Sequence, residues 1–237
     1  MSFQLLFGVI VVFSLIKIVS IFYLTKKSQP TLQSKNEDIK DIYEIHITVD
    51  PTNYNYVKLL SFIDQYTEYK LKSVFAVSSV SNNQYMLSTF IRNTEDEAIN
   101  KANYISSLLE NDKIKVLRIK VESHSISKFP LTIFDLKTNS YFEFHVKVIV
   151  GNNTYERLDE DIAKYLGVGV SYNLCSKNLK PLLTIRVYNK GFKYACDHKD
   201  IILEELKDKG YQFDSKIQQE YSIYDTNVML DKGWLRE

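Results

Sequence analysis

Two hydrophobic rhythms alternate along residues 42–123. Tyr43, Ile45, Ile47 and Val49 fall on every second position, with Glu44, His46 and Thr48 between them. This is the pattern of a strand that buries one face. The turn signal Asp50-Pro51 follows, and Val57, Leu60 and Ile63 then mark one side of a helix over about 54–66. Strands are predicted over 71–79 and 85–92, joined through Ser81-Asn82-Asn83. A second helix opens at Thr94-Glu95-Asp96-Glu97, an N-cap followed by an acidic first turn, and a strand over 116–122 closes the unit. The predicted order is β-α-β-β-α-β.

The same order recurs after residue 140: a strand over 141–150, a helix over 155–166, strands over 169–175 and 182–188, a helix over 195–209 and a strand over 212–223. Residues match as well as elements. Tyr43-Glu44-Ile45-His46-Ile47 answers Phe142-Glu143-Phe144-His145-Val146, Leu87-Ser88 answers Leu183-Thr184, and Arg118-Ile119 with Glu122 answers Lys216-Ile217 with Glu220. A near-constant offset points to an internal duplication. The expected fold class is therefore α+β: two tandem ferredoxin-like βαββαβ repeats, at 42–123 and 141–223, forming a bilobal body. A connector (124–140) separates the repeats and a tail (224–237) follows them. Helices cover one face of each sheet, so the other faces are expected to meet across a groove.

Ahead of this body, residues 3–24 are apolar apart from Lys17. About 20 such residues cross a hydrocarbon layer of about 30 Å, which predicts a transmembrane anchor over 1–24 in contact with the lipid bilayer. The polar stretch 25–41, which contains Pro30, reads as a linker. Lys26, Lys27, Lys35 and Lys40 follow the span and nothing basic but the terminal amine precedes it, so the positive-inside bias predicts a single-pass, N-out, C-in protein with its body in the cytoplasm.

Composition narrows the chemistry. A net charge of +1 with 25% charged residues gives no electrostatic signal for nucleic acid. Cys175 and Cys196 are too few for a disulfide framework. The sequon at Asn152 matters only for a lumenal body. Seven glycines and no glycine-rich motif leave no phosphate-cradling loop and no cofactor site. His124 and His198 have no partner at metal-ligand spacing, so no dedicated metal site is expected. The tail, with Asp225, Asn227 and the only tryptophan, Trp234, has two readings: it closes over the groove with Asp225 and Asn227 on a ligand, or it simply docks an aromatic.

What remains is the polar face of the first strand of each repeat: Glu44, His46 and Thr48, and Glu143, His145 and Lys147. His46-Ile47-Thr48 resembles the motif of the 2H phosphoesterases, duplicated two-lobed proteins with one H-x-T or H-x-S per lobe that act on cyclic phosphates or RNA-end phosphodiesters. His145-Val146-Lys147 matches that motif at its histidine alone. The resemblance implies that His46 and His145 act as an acid–base pair, that Thr48 holds a phosphate oxygen, and that Lys147 supplies charge. Two functions are thus expected: a module that binds a small phosphorylated ligand or a protein partner without catalysis, with Glu44 and Glu143 completing the binding set, or a phosphodiesterase.

Overall fold

The computed structural model describes residues 40–78, 83–149, 154–177 and 179–236. Among the described residues nine strands and four α-helices succeed one another. In the first half these are β1 (Asp41–Val49), α1 (Asn53–Gln65), β2 (Lys72–Val77), β3 (Gln84–Asn93), α2 (Glu95–Asn111) and β4 (Val116–Ser123). The second half holds β5 (Tyr141–Ile149), α3 (Thr154–Ile162), β6 (Val168–Asn173), β7 (Leu182–Tyr188), α4 (Phe192–Asp208), β8 (Gln212–Phe213) and β9 (Gln218–Asp225). Local chemistry sets several boundaries. Thr94 Oγ1 accepts from the Glu97 amide while Glu97 Oε2 accepts from the Thr94 amide, a capping box that starts α2.

The expected pair of lobes, two tandem ferredoxin-like repeats facing one another across a groove, is overturned. The strands run in the order β7-β6-β2-β3-β1-β4-β9-β5, and β5 pairs back onto β7. The result is one closed, antiparallel, eight-stranded barrel, with the short β8 attached to the end of β5. Closure depends on two seams between the halves. At one, β4 pairs with β9 from Lys120↔Asp225 to Ser123↔Tyr221. At the other, β2 pairs with β6 through Ala76↔Asn173 and Val77↔Tyr172. The physical reason is the edge-strand problem: two separate four-stranded sheets would leave four unpaired edges, and joining them satisfies those backbone groups.

The helices lie outside the barrel wall. α1 packs on β2, α2 on β1, β3 and β4, α3 on β6, and α4 on β5. The hydrophobic core fills this outer layer, where Ile45, Ile47, Phe142, Phe144 and Val146 of the strands meet Leu59, Phe62, Ile105, Leu109, Leu158, Ile202 and Leu206 of the helices. Period two then sends the polar residues of the same strands into the lumen.

The tail closes one side. Arg236 donates its amide to the Val168 carbonyl and accepts from the Gly167 amide. The Trp234 carbonyl lies where a Cβ on residue 169 would come within 2.0 Å, so only glycine fits at Gly169.

Among the described residues no helix is long and apolar enough to cross a membrane, which goes against a single-pass, membrane-anchored chain. The longest helices, α2 and α4, have 17 residues each and carry charged outer faces. The segment 3–24 on which the anchor is expected lies outside the described residues, as do Asn152 and most of the turn at 81–83. The N-out, C-in orientation and the bilayer contact expected of that segment lie outside the described residues with it.

Candidate functional site

The inward faces of the strands build an ionic lumen. β1 contributes Glu44, His46 and Thr48, β4 contributes Arg118, Lys120 and Glu122, and His124 follows β4. Glu143 and His145 come from β5, Arg186 from β7, Gln218 and Glu220 from β9, and Asp231 from the tail. A cavity of about 280 Å³ lies among them, lined by all of these residues but Glu122 and His124. Its wall is charged where Glu44, His46, Lys120, Glu143, His145, Arg186 and Glu220 face it. Elsewhere it is apolar, formed by Val74, Ala76, Met86, Val170, Leu182 and Leu235.

Five of the six residues singled out from the sequence come together here. Glu44, His46, Thr48, Glu143 and His145 all line the cavity. Lys147 does not: it follows them on the same face of β5 but is exposed, beyond the point where the β5–β9 ladder ends at His145↔Gln218. Asp225 and Asn227 also depart from expectation. Asp225 takes the Arg118 guanidinium at 2.9 and 2.6 Å and the Tyr141 hydroxyl at 2.5 Å, and Asn227 donates to the Leu117 carbonyl. Both are committed to the protein itself.

The charges are arranged as a network. Asp231 reaches into the barrel and takes Arg118 at 2.7 Å, Arg186 at 2.5 Å and the Gln84 amide at 3.0 Å. Burial opposes its ionisation, but the two guanidiniums prevail and hold its carboxyl down at about 2. Glu143 takes Arg186 at 2.7 Å and Lys120 at 2.6 Å, and lies well below the usual carboxylate range for the same reason.

The two strand histidines differ. His145 has both ring nitrogens engaged, Nδ1 with Thr184 Oγ1 at 3.0 Å and Nε2 with Glu220 at 3.1 Å. Burial alone would lower its pKa, but Glu220 and Glu143 outweigh that and raise it to about 9. The same contact lowers Glu220 to about 2 against the cost of burial. His46 places Nε2 between Glu122, at 3.1 Å, and Glu44, at 3.4 Å, while its buried Nδ1 has no hydrogen-bond partner. Glu122 is fully buried, and desolvation together with the Glu220 charge raises its carboxyl to about 7.

Lys120, Arg186, Gln218 and Asp231 are not among the site residues expected from the sequence, and Arg118, Glu122 and Glu220 figure there only as matches between the repeats. A signal was present for most of them. Arg118-Ile119-Lys120-Val121-Glu122-Ser123-His124 puts an ionisable group on every second residue of a strand whose other face is largely buried. A run of charge confined to one strand face marks a polar interior when both faces are enclosed.

Fold and site together define a closed antiparallel β-barrel with outer helices, an ionic lumen and a tail-borne carboxylate among its ion pairs. Comparison of the chain with protein-family models, with curated proteins and with solved structures finds no match.

Proposed function

We propose that the protein is a binding protein that takes a small amphipathic molecule into the barrel lumen. The observation that carries this reading is the cavity of about 280 Å³, whose wall is divided between an ionic and an apolar part. That size is near the lower end for small-molecule sites, and a mainly apolar wall with a few convergent polar groups is their usual character. The apolar part of a ligand would lie against Val74, Ala76, Met86, Val170 and Leu182. Its polar part would meet the ionic part of the wall, where Glu44, His46 and Thr48 lie. The fixed ion pairs around the lumen hold the chamber open, because side chains locked to one another do not collapse into it.

The test is a thermal-shift screen of the full chain against small amphipathic metabolites, with native mass spectrometry of the hits. A ligand at about one hundred times its Kd adds about 2.7 kcal/mol of stability. Ala76→Phe fills the chamber and is expected to remove that gain. A hit that stabilises Ala76→Phe as much as the native chain would place its site elsewhere and overturn the reading.

A second reading, hydrolysis of cyclic phosphates or RNA-end phosphodiesters, is favoured by one observation: His46, His145 and Thr48 line the same cavity. Against it, His145 has no uncommitted ring nitrogen and Lys147 stands outside. Turnover of 2′,3′-cyclic nucleotides that His46→Ala and His145→Ala abolish would support it. No turnover by the native chain would remove it.

A further inference from the structure

Lys120, Arg118 and Arg186 supply the permanent positive charge of the lumen, and all three are spent on Glu122, Glu143, Asp225 and Asp231. Among the described residues, the ion-pair contacts within 4 Å of Glu44 and Glu220 come from histidines alone. Two buried carboxylates thus face each other across His124 with no fixed cation between them.

We infer that Glu44, His124 and Glu220 form a binding site for one divalent first-row transition-metal ion in the barrel lumen. Their ligand atoms all lie within 4.8 Å of one another. His124 Nε2 is 3.2 Å from Glu44 Oε2 and 3.8 Å from Glu220 Oε1. Ligands held about 2.1 Å from a zinc ion stand about 3.4 Å apart on a tetrahedral edge, and the two distances from His124 Nε2 lie on either side of that value. One imidazole and two carboxylates suit zinc, cobalt, iron or manganese.

The surroundings support the set. Ser88 Oγ donates to Glu44 Oε1 at 2.5 Å and His145 holds Glu220 Oε2, which leaves the opposite oxygen of each carboxylate turned toward His124. Phe90 packs against the His124 ring with centroids 5.4 Å apart. Such partners orient metal ligands. Gln218 Nε2 donates to both carboxylates, and a half-turn of that amide presents its oxygen to the same point.

Unpartnered buried atoms gather beside the cluster as well. His46 Nδ1 has none, and neither has the hydroxyl of Ser222, a residue 1% exposed that shares the inward face with its register partners Glu122 and Tyr141. Neither Glu122 oxygen accepts a well-formed hydrogen bond, although Lys120 Nζ and His46 Nε2 stand 2.7 and 3.1 Å away.

A second trio of similar spacing, Glu143, His145 and Glu220, is disfavoured. Its Glu143 is neutralised by Arg186 and Lys120, and both ring nitrogens of its His145 are taken.

The inference rests on the lumen being a binding chamber, and its test separates the two ideas. Chelator-treated full-length protein is titrated with Co²⁺. The expected result is a visible ligand-field band that saturates at one equivalent and is displaced by Zn²⁺. His124→Ala and Glu220→Gln each weaken uptake by about tenfold or more. Phe90→Arg, at a half-exposed position directly across from Glu44, does the same by supplying a guanidinium there, and it answers the question even if a buried variant fails to fold. Lys147→Ala leaves uptake unchanged. Affinity weaker than about 1 mM, or uptake indifferent to all three variants, overturns the metal site. Amphipathic ligands that bind without Co²⁺ uptake discard the metal alone, and Co²⁺ uptake with no such ligand discards only the organic one.

Discussion

The two halves of the barrel put the same short pattern to different use. Glu44 and His46 on β1 correspond to Glu143 and His145 on β5, with carboxylate and imidazole on the inward face in each case. Their cross-strand neighbours set them apart. Glu143 stands opposite Arg186 on β7, whereas Glu44 stands opposite Phe90 on β3. The first carboxylate therefore has a guanidinium and, through Lys120, an ammonium. The second has a serine hydroxyl, an amide and two imidazoles. The β5 carboxylate became part of an ion-paired scaffold, while the β1 carboxylate stayed free of permanent cations. The difference teaches that a repeated motif does not carry its function with it. The residue across the ladder determines whether a buried carboxylate is structural or available.

Several substitutions would break or sharpen this contrast. The largest effect is expected from Arg186→Met, which leaves Glu143 and Asp231 short of a cation in a buried site and costs about 3–5 kcal/mol in denaturant unfolding. Phe90→Ala, at the matching position, stays within about 1 kcal/mol. Next come the paired carboxylates themselves. Glu143→Gln costs about 3 kcal/mol by removing the charge that Arg186 and Lys120 face, and Glu44→Gln about 1 kcal/mol because an amide still accepts from Ser88. Equal costs for the two would erase the distinction.

Asp231 gives a pH-dependent version. Its folded pKa of about 2 lies below the ordinary aspartate value, so its ionised form stabilises the fold above about pH 4, and that contribution is lost as pH falls through the folded value. The stability difference between the native chain and Asp231→Asn should shrink by about 2 kcal/mol between pH 5 and pH 2. A constant difference would mean that the two arginines do not hold the carboxylate as described. The smallest effect belongs to Lys147→Ala, within about 0.5 kcal/mol, since an exposed lysine beyond the end of the β5–β9 ladder touches none of the network.

Much of this site was legible before any tertiary information. Alternation put Glu44, His46, Thr48, Glu143 and His145 on one face of their strands, opposite the residues that pack under the helices. Thr94 and Glu97 announced the start of α2. The tail was harder to read, because nothing in Asp231 distinguishes a surface aspartate from one inserted between two arginines. Lys147 misled for a related reason: period two gives the face on which a side chain lies but not the point where the ladder beside its strand ends.

By itself, then, the sequence determined the order of nearly all the elements and the polar face of β1 and β5, though the strand expected over 212–223 is split into β8 and β9. These follow from local forces, namely side-chain alternation, capping and turn chemistry. The tertiary structure alone decided that both sheets close on one another, so that a polar face expected to border an open groove became the wall of an enclosed lumen. Closure is made by backbone hydrogen bonds at strand edges, and backbone groups are the same in every residue but proline. No side-chain pattern records which edge pairs with which. The ion pairs across the lumen, from Arg118 to Asp231 and from His124 to Glu44, exist only because those edges met.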